Sequence, residues 1–221
     1  MDENLSDQQQ IELIRQWWRE NGWYLVGGAL LAGLGYFGWN QYQAYQIRVA
    51  EQAAGVYERL VQSVNDDDRE MADLLLEQLT TNFSSSGYTD QARLLIARDN
   101  LIRDPERAIS ELETVIANSS DPGIVNIARL RLARVLAYDE QFDRALDVLN
   151  VADAGDFEAR FSEVRGDIHA ANGNTEAAIS AYTDALFGAV NGTVDSEYVQ
   201  LKLNDLIQAS EPDSAESGDG G

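Results

Sequence analysis

The amino-acid sequence predicts an all-α protein, in which a single transmembrane helix near the start precedes a solenoid of stacked helical hairpins. Two observations predict this fold. A stretch without any charged residue covers residues 21–47, and beyond residue 48 apolar residues recur with the three- and four-residue steps of an amphipathic helix. Because no stretch alternates convincingly with the two-residue period of a strand, we expect little or no sheet.

The composition is that of a folded but strongly acidic chain. Its 221 residues include 38 acidic and 16 basic side chains, which gives a formal net charge of −22. This charge argues against nucleic acid as a partner, because phosphates must be neutralised by clustered lysine and arginine. With no cysteine, disulfides, thiolate metal sites and a cysteine nucleophile are excluded. The acidic excess fits either a salty environment or plain solubility, and the sequence leaves both open.

The core of the charge-free stretch, residues 23–39, has the features of a membrane-spanning helix. At about 1.5 Å per residue it extends roughly 25 Å, close to the lower limit for crossing the hydrocarbon of a bilayer. Trp23 and Tyr24 begin the run and Trp39 ends it, which matches the preference of aromatic rings for the headgroup region. Since residues 1–20 lack a basic character and no small-residue cleavage site follows, an uncleaved anchor fits better than a signal peptide.

These features divide the chain into four segments. We expect a short acidic cytoplasmic tail at 1–20, a transmembrane helix at 21–40, a helical repeat domain at 41–209 and a disordered acidic tail at 210–221. Arg15 and Arg19 before the span, against Arg48 after it, give a slight bias toward a cytoplasmic N-terminus. The final segment is expected to be disordered because it has nothing to bury.

The repeat domain contains three self-similar segments. Their equivalent alanines are 37 and 33 positions apart, and an earlier small residue precedes each of them by 11 or 12 positions. Small residues in both helices of a hairpin let the two axes come close, while larger residues fill the gap to the next hairpin. The later alanines are Ala108, Ala145 and Ala178, the earlier small residues are Ala97, Ala133 and Gly166, and the apolar residues seven positions after the alanines are Val115, Ala152 and Ala185.

This pattern resembles the tetratricopeptide repeat, a helical hairpin of about 34 residues with small residues at its close contacts. The small positions match well, whereas Arg93, Arg129 and Ser162 stand where that repeat often has a large aromatic residue. A less regular hairpin is expected over residues 41–81. Residues 194–209 supply a closing helix through Tyr198, Leu201 and Leu206.

Short motifs along nearly the whole chain carry a more specific resemblance. They are Glu20-Asn21-Gly22 before the span, Gly38-Trp39 at its end, Leu-Arg-Leu-Ala-Arg-Val over 130–135 and Val-Arg-Gly-Asp over 164–167. With these motifs the chain resembles the YfgM family of bacterial inner-membrane proteins, also called the ancillary SecYEG translocon subunit. The resemblance implies a single-pass inner-membrane protein with a cytoplasmic N-terminus and a periplasmic repeat domain.

The same resemblance implies partners and a role. The partners are the SecYEG translocon and a membrane-anchored parvulin-like chaperone, PpiD, besides the lipid bilayer itself and exported polypeptides. The implied role is a scaffold that helps to pass newly exported polypeptides to periplasmic chaperones. An adaptor of another envelope complex, in assembly or division, would show the same anchor and repeats.

The candidate partner groove consists of Arg93, Arg129, Arg131, Arg134 and His169. The four arginines lie on the predicted first helices of successive hairpins, where a shared face would let them hold carboxylates of a partner. Internal ion pairing is the alternative, given the excess of acids. His169, the single histidine, either packs inside its hairpin or lines the groove.

The sequence contains no motif for a catalytic or cofactor site. It lacks a glycine-rich phosphate loop, a nucleophile elbow and a zinc-binding pair. The run Asp66-Asp67-Asp68 either attracts a divalent cation or caps the following helix, whose N-terminal dipole favours negative charge. This run is the one feature that supports an unrecognised enzyme, so we expect an interaction protein with no catalytic residues, metal or cofactor.

Overall fold

The computed structural model describes residues 7–189 and 192–210. Within these ranges the chain forms helices and turns without any strand, so the predicted all-α class is confirmed. The helices are α1 (Asp7–Asn65), α2 (Arg69–Asn82), α3 (Gly87–Asn100), α4 (Pro105–Asn118), α5 (Pro122–Tyr138), α6 (Phe142–Leu149), α7 (Glu158–Ala171), α8 (Thr175–Phe187) and α9 (Ser196–Ser210), with a short 3-10 helix at Gly155–Phe157. Apart from Ser210, the acidic tail predicted at 210–221 lies outside the described residues.

The chain divides into two compact units, Met1–Gln52 and Ala53–Gly221, and α1 contributes residues to both. In the first unit large apolar side chains are exposed, among them Trp23 at 82%, Leu31 at 73% and Tyr36 at 75%. Among the described residues, no helix contains a stretch that is long and apolar enough to cross a bilayer. The membrane crossing predicted for residues 23–39 is therefore not confirmed and stays a prediction.

In the second unit, most helices begin after a side chain that accepts a hydrogen bond from a backbone N–H of the first turn. The N–H of Met71 donates to Oδ1 of Asp68 at 3.1 Å, and the N–H of Arg107 donates to Oδ1 of Asp104 at 3.1 Å. Pro105 opens α4, at a position where its missing N–H costs no hydrogen bond. Helix capping by the carboxylate run before α2 is thus confirmed.

Consecutive helices pair into the hairpins α3–α4, α5–α6 and α7–α8, and α9 closes the series against α8. The alanines predicted at the close contacts of these hairpins are all buried. Gly166 also marks a close approach of two helices, since an added Cβ would lie 2.5 Å from the ring of Tyr182. The predicted repeat of tight helical hairpins is therefore confirmed.

The buried side chains that the structure describes in the second unit form three apolar clusters. One joins the part of α1 from Ala53 with α2 and α3, the next extends from α3 to α7, and the last joins α7, α8 and α9. Phe161 is the largest of the fully buried side chains. Each hairpin thus buries its apolar face against its neighbours, which is how a helical solenoid is stabilised.

The prediction that Ala152 packs in the core is wrong. Helix α6 ends at Leu149, so Ala152 lies beyond the helix and is exposed, and Ala154 is buried instead. The chain leaves the helical path because the N–H of Gly155 donates to Oδ1 of Asp153 at 2.8 Å, with Gly155 at a φ of 56°. An aspartate turn followed by a glycine in this left-handed conformation redirects the chain toward α7.

The closing helix is present, but it packs through a different face from the predicted one. Val199 and Leu203 are buried at 0% and 8% exposure, whereas Tyr198 and Leu201 are 53% and 56% exposed. The residues Val199, Leu203 and Leu206 follow the i, i+4, i+7 spacing of one helix face. Only Leu206 of the three predicted contacts belongs to the cluster with α7 and α8.

Candidate partner-binding groove

The five residues predicted to line a partner groove do not form one site. Arg93 on α3 pairs with Glu111 on α4, with 2.5 Å between Nη1 and Oε2. Arg129 on α5 donates from Nη1 to the carbonyl oxygen of Val148 at 3.0 Å. Both arginines therefore connect neighbouring helices within the stack. Internal ion pairing was the alternative for all four arginines, and Arg93 is the one that forms such a pair among the described residues.

Arg131 and Arg134 do share a surface, and a third arginine, Arg98, joins them. The three arginine side chains line a groove of about 460 Å³ between α3, α4 and α5, which we call the α3–α5 groove. Its other lining residues are Ala97, Leu101, Ile102, Leu112, Val135 and Tyr138. The volume falls in the range of about 300–1,000 Å³ that is common for ligand-binding clefts.

The surface of the α3–α5 groove is mainly apolar. Ala97 and Leu112 are buried and form its floor, while Ile102 and Tyr138 are 94% and 93% exposed. Large apolar side chains with so little contact to the rest of the protein are typical of a surface that meets a partner.

The arginines of the groove form no ion pair with the described carboxylates of its own helices. In the part of the chain that the structure describes, none of Arg98, Arg131 and Arg134 pairs with a carboxylate; Arg131 donates from Nη1 to the carbonyl oxygen of Leu94 at 3.3 Å. Burial, and then the charges of Arg98 and Arg134, lower the pKa of Arg131. The three like charges thus repel one another, and an anion placed between them would relieve this repulsion.

Sequence reasoning missed Arg98, although a signal for it was present. Arg98 follows the small residue Ala97 of its hairpin, and Arg134 follows the equivalent Ala133. Four positions later, Ile102 and Tyr138 are again equivalent. Aligning the hairpins residue by residue, instead of only at their small positions, would have found the same arginine and apolar pair twice.

A second, smaller depression of about 180 Å³ shares two arginines with the α3–α5 groove. Tyr57, Gln91, Leu94 and Leu95 line it together with Arg98 and Arg131. Arg98 and Arg131 therefore line both cavities.

His169 lies apart from this groove. It is half-buried in the last turn of α7, and its backbone carbonyl accepts a hydrogen bond from the N–H of Asn174 at 2.8 Å. It is not among the residues that line the α3–α5 groove.

A polar cluster around Lys202, which the sequence did not predict, holds α9 against α7. The ammonium group of Lys202 donates to Asp167 at 2.7 Å and to Glu163 at 3.1 Å, and the hydroxyl of Tyr182 donates to Asp167 at 2.8 Å. The ammonium also lies 4.5 Å from the ring centre of Tyr198, close enough for a cation–π contact. This cluster uses the single lysine of the chain for helix packing.

The cluster shifts two pKa values in the same direction. Burial alone would lower the pKa of Lys202, but its hydrogen bonds and charge interactions with Asp167 and Glu163 outweigh burial and raise it. Burial, and then the hydrogen bond to Asp167, raise the pKa of Tyr182. Both groups therefore keep their protons more strongly in the folded protein.

The carboxylates before α2 serve the local structure. Asp68 caps the helix, while Asp67 pairs with Arg69 at 3.1 Å and with Arg103 at 2.8 Å. These hydrogen bonds, those of Arg103 first, lower the pKa of Asp67. Among the described residues no group of three or more histidines, aspartates or glutamates is arranged to hold a metal ion.

Tight hairpins with small residues at their contacts, stacked in series, define a helical-repeat protein of the tetratricopeptide class. The sequence model of the tetratricopeptide repeat-like domain matches residues 15–208. Three curated proteins named ancillary SecYEG translocon subunit are similar to this chain, and each comparison covers 92% of it. The proteins of Haemophilus influenzae and Neisseria gonorrhoeae are each 29% identical to it, over 98% of their own length. The protein of Escherichia coli is 26% identical, over 97% of its own length. The chain therefore belongs to the YfgM family of tetratricopeptide repeat-like proteins. No solved structure matches it.

Proposed function

We propose that this protein is a non-catalytic interaction scaffold that acts as an ancillary subunit of the SecYEG translocon. One observation carries the proposal: the similarity to proteins of that name extends over about nine-tenths of this chain and almost the whole of each relative. The helical hairpins support it, because stacked repeats offer an extended surface for other proteins.

Membrane anchoring through residues 23–39 is part of the proposal. A charge-free stretch with exposed tryptophan, tyrosine and leucine side chains needs an apolar environment around it, and a bilayer supplies one. We propose a cytoplasmic N-terminus and a periplasmic repeat domain in the bacterial inner membrane.

In this arrangement the repeat domain would help to pass newly exported polypeptides to periplasmic chaperones, with the membrane-anchored chaperone PpiD as a neighbour. Confinement to one membrane raises the effective concentration of partners that are anchored nearby. Weak contacts of the repeat domain would then suffice for transfer.

The test is recovery of partners with the tagged full chain from detergent-solubilised membranes. We expect mass spectrometry to find the translocon subunits, and the wild-type chain to stay with the membrane after a high-salt wash. Replacing Leu30 and Leu31 by glutamate is expected to release the chain and abolish recovery. The matched control replaces Met71 and Leu74 of α2, which are also exposed, by glutamate. It is expected to keep both membrane retention and recovery of the translocon subunits.

Two outcomes would contradict the proposal. Recovery of a different envelope complex in place of the translocon would favour an adaptor in assembly or division. Equal membrane retention of the Leu30→Glu/Leu31→Glu variant and the wild type would exclude residues 23–39 as the anchor.

A further inference from the structure

We propose that the α3–α5 groove binds a short peptide segment of a partner protein in which carboxylates flank large apolar side chains. The inference rests on the proposed function, because a scaffold at the translocon needs a surface that recognises polypeptides, and it names the chemistry of that recognition.

The first argument is charge. The chain carries a net charge of −22, yet Arg98, Arg131 and Arg134 meet in one groove without a carboxylate from the described residues. Local positive charge within an acidic protein attracts anionic groups to this groove and leaves most of the remaining surface repulsive toward them. Guanidinium groups suit carboxylates in particular, because both are planar and form paired hydrogen bonds.

The second argument is apolar surface. Leu101, Ile102, Val135 and Tyr138 lie beside the arginines in the same groove, and Ile102 and Tyr138 have almost no contact with the rest of the protein. A free inorganic anion or a nucleic acid would leave these side chains in water. A peptide with leucine or phenylalanine between its carboxylates would cover them and pair with the arginines at the same time.

The third argument is repetition. Arg98 with Ile102, and Arg134 with Tyr138, are equivalent pairs in successive hairpins, each four positions apart. Tyr138 ends α5, whereas Ile102 lies in the turn directly after α3. Two equivalent pairs in register suit a ligand that itself alternates acidic and apolar residues. The third hairpin has Asp167 and Ala171 at these positions, and Asp167 pairs with Lys202, so the binding surface ends after the second hairpin.

The acidic tail of the chain itself is the weaker candidate for the groove. Residues 211–221 contain acidic side chains but no large apolar one, so they match the arginines and not the apolar surface. A second copy of the chain is disfavoured by the repulsion between two molecules of net charge −22.

The experiment measures fluorescence anisotropy of a labelled peptide against the full chain in lipid nanodiscs, with empty nanodiscs as the blank. The probe, acetyl-EFDLEFDLE-amide, has two matched controls: acetyl-QFNLQFNLQ-amide lacks the charges and acetyl-ESDSESDSE-amide lacks the apolar side chains. We expect saturable binding of the probe alone, and at least tenfold weaker binding of each control peptide.

Two pairs of variants test the location. Arg98→Gln/Arg134→Gln removes two groove arginines whose side chains make no hydrogen bond among the described residues, so packing is preserved, and it is expected to raise Kd at least tenfold. Arg69→Gln/Arg144→Gln makes the same change in net charge at exposed arginines away from the groove and is expected to change Kd less than twofold. Tyr138→Ser is expected to raise Kd at least fivefold without changing the melting temperature.

Equal binding of the probe and the uncharged peptide would overturn the inference, and so would an unchanged Kd for Arg98→Gln/Arg134→Gln. A chain that ends at Ser210 and binds the probe at least tenfold more tightly would also overturn it, because the tail of the chain itself would then be the occupant of the groove. The measurement contains no translocon, so its failure is separate from that of the proposed function. If the probe does not bind but the translocon is still recovered, only the proposed ligand of the groove is refuted. If the probe binds but the translocon is not recovered, only the proposed function is refuted.

Discussion

At the scale of single residues, Gly166 is the described glycine that leaves the least room for a side chain. A Cβ there would lie 2.5 Å from Cδ1 and Cε1 of the Tyr182 ring, well inside the sum of the van der Waals radii. The ring has little freedom to withdraw, because its hydroxyl donates to Asp167, which in turn accepts from Lys202. Glycine is thus required here because α7 and α8 lie close together. Its backbone freedom is not the reason, since Gly166 lies within a regular helix.

We therefore predict that Gly166→Ala lowers the free energy of unfolding by about 1–3 kcal/mol, the usual cost of overpacking a core. Urea denaturation of the full chain in mild detergent, followed by circular dichroism, measures this loss. The comparison is Gly55→Ala in α1, where an added Cβ meets nothing within 4 Å. Because alanine favours a helix over glycine, that change is expected to leave stability equal or up to about 1 kcal/mol higher. Equal effects of the two substitutions would show that α7 and α8 are further apart than the structure indicates.

At the scale of helices, α9 is attached by the apolar side chains Val199, Leu203 and Leu206 and by one half-buried cation. Val199 and Leu203 cover the cluster with α7 and α8, and Lys202 lies between them, paired with Glu163 and Asp167. Removing the cation would leave Glu163 and Asp167, which are 16% and 36% exposed, without a counter-charge. A half-buried carboxylate left in this way destabilises more than the ion pair itself contributes. The attachment of α9 therefore depends on the protonation of Lys202.

Replacing Lys202 by methionine is expected to lower the free energy of unfolding at pH 8 by about 1–3 kcal/mol. A pKa raised above its ordinary value of 10.5 means that the contribution of Lys202 is complete below pH 10.5 and is lost as the pH rises through the folded value. The raised pKa of Tyr182 acts in the same direction, since the unfolded chain releases this proton first above its ordinary value of 10.0.

The wild type is thus predicted to lose stability steeply above about pH 10, and the gap between it and Lys202→Met to narrow there. Thermal melting at pH 8, 10 and 11.5 measures both effects. Gln200→Met, on the same helix but exposed, is the control and is expected to shift stability by less than about 0.5 kcal/mol. A constant gap over this pH range would mean that Lys202 acts by packing alone.

The same helices show how far the sequence allows prediction. The hairpins and their alanine contacts were predictable, because a small residue repeated at a fixed interval depends on local spacing alone. The end of α6 was not, since Ala152 continues the helical period and only the turn at Asp153 and Gly155 removes it from the core. The groove was predictable in part: Arg131 and Arg134 were found on one helix, and an alignment of the hairpins also points to Arg98, but only the structure shows that the three arginines line one cavity.

At the scale of the whole molecule, net charge opposes the packing of the hairpins. The chain has 38 acidic side chains against 16 basic ones. Three of the ion pairs among the described residues, Arg69–Asp67, Arg103–Asp67 and Arg144–Glu113, are exposed at both partners, where such pairs contribute about 0–1 kcal/mol each. Repulsion among the surplus carboxylates is distributed over the surface and favours the expanded, unfolded chain. Salt screens charges that are more than about 10 Å apart at 0.1 M, so it weakens this long-range repulsion more than it weakens close pairs.

We predict that raising NaCl from 20 to 300 mM stabilises the protein by about 1 kcal/mol and raises the melting temperature by about 2–4 °C. Sodium chloride is preferred to sulfate because sulfate also strengthens apolar burial. The matched variant replaces Asp147, Asp184 and Asp205 by asparagine; all three are exposed, and none of their side chains pairs with a cation among the described residues. Because it carries three fewer negative charges, it is expected to melt higher than the wild type at 20 mM and to respond less to added salt. A melting temperature that falls as NaCl increases would show that close ion pairs, and not the acidic excess, dominate the electrostatic free energy of the fold.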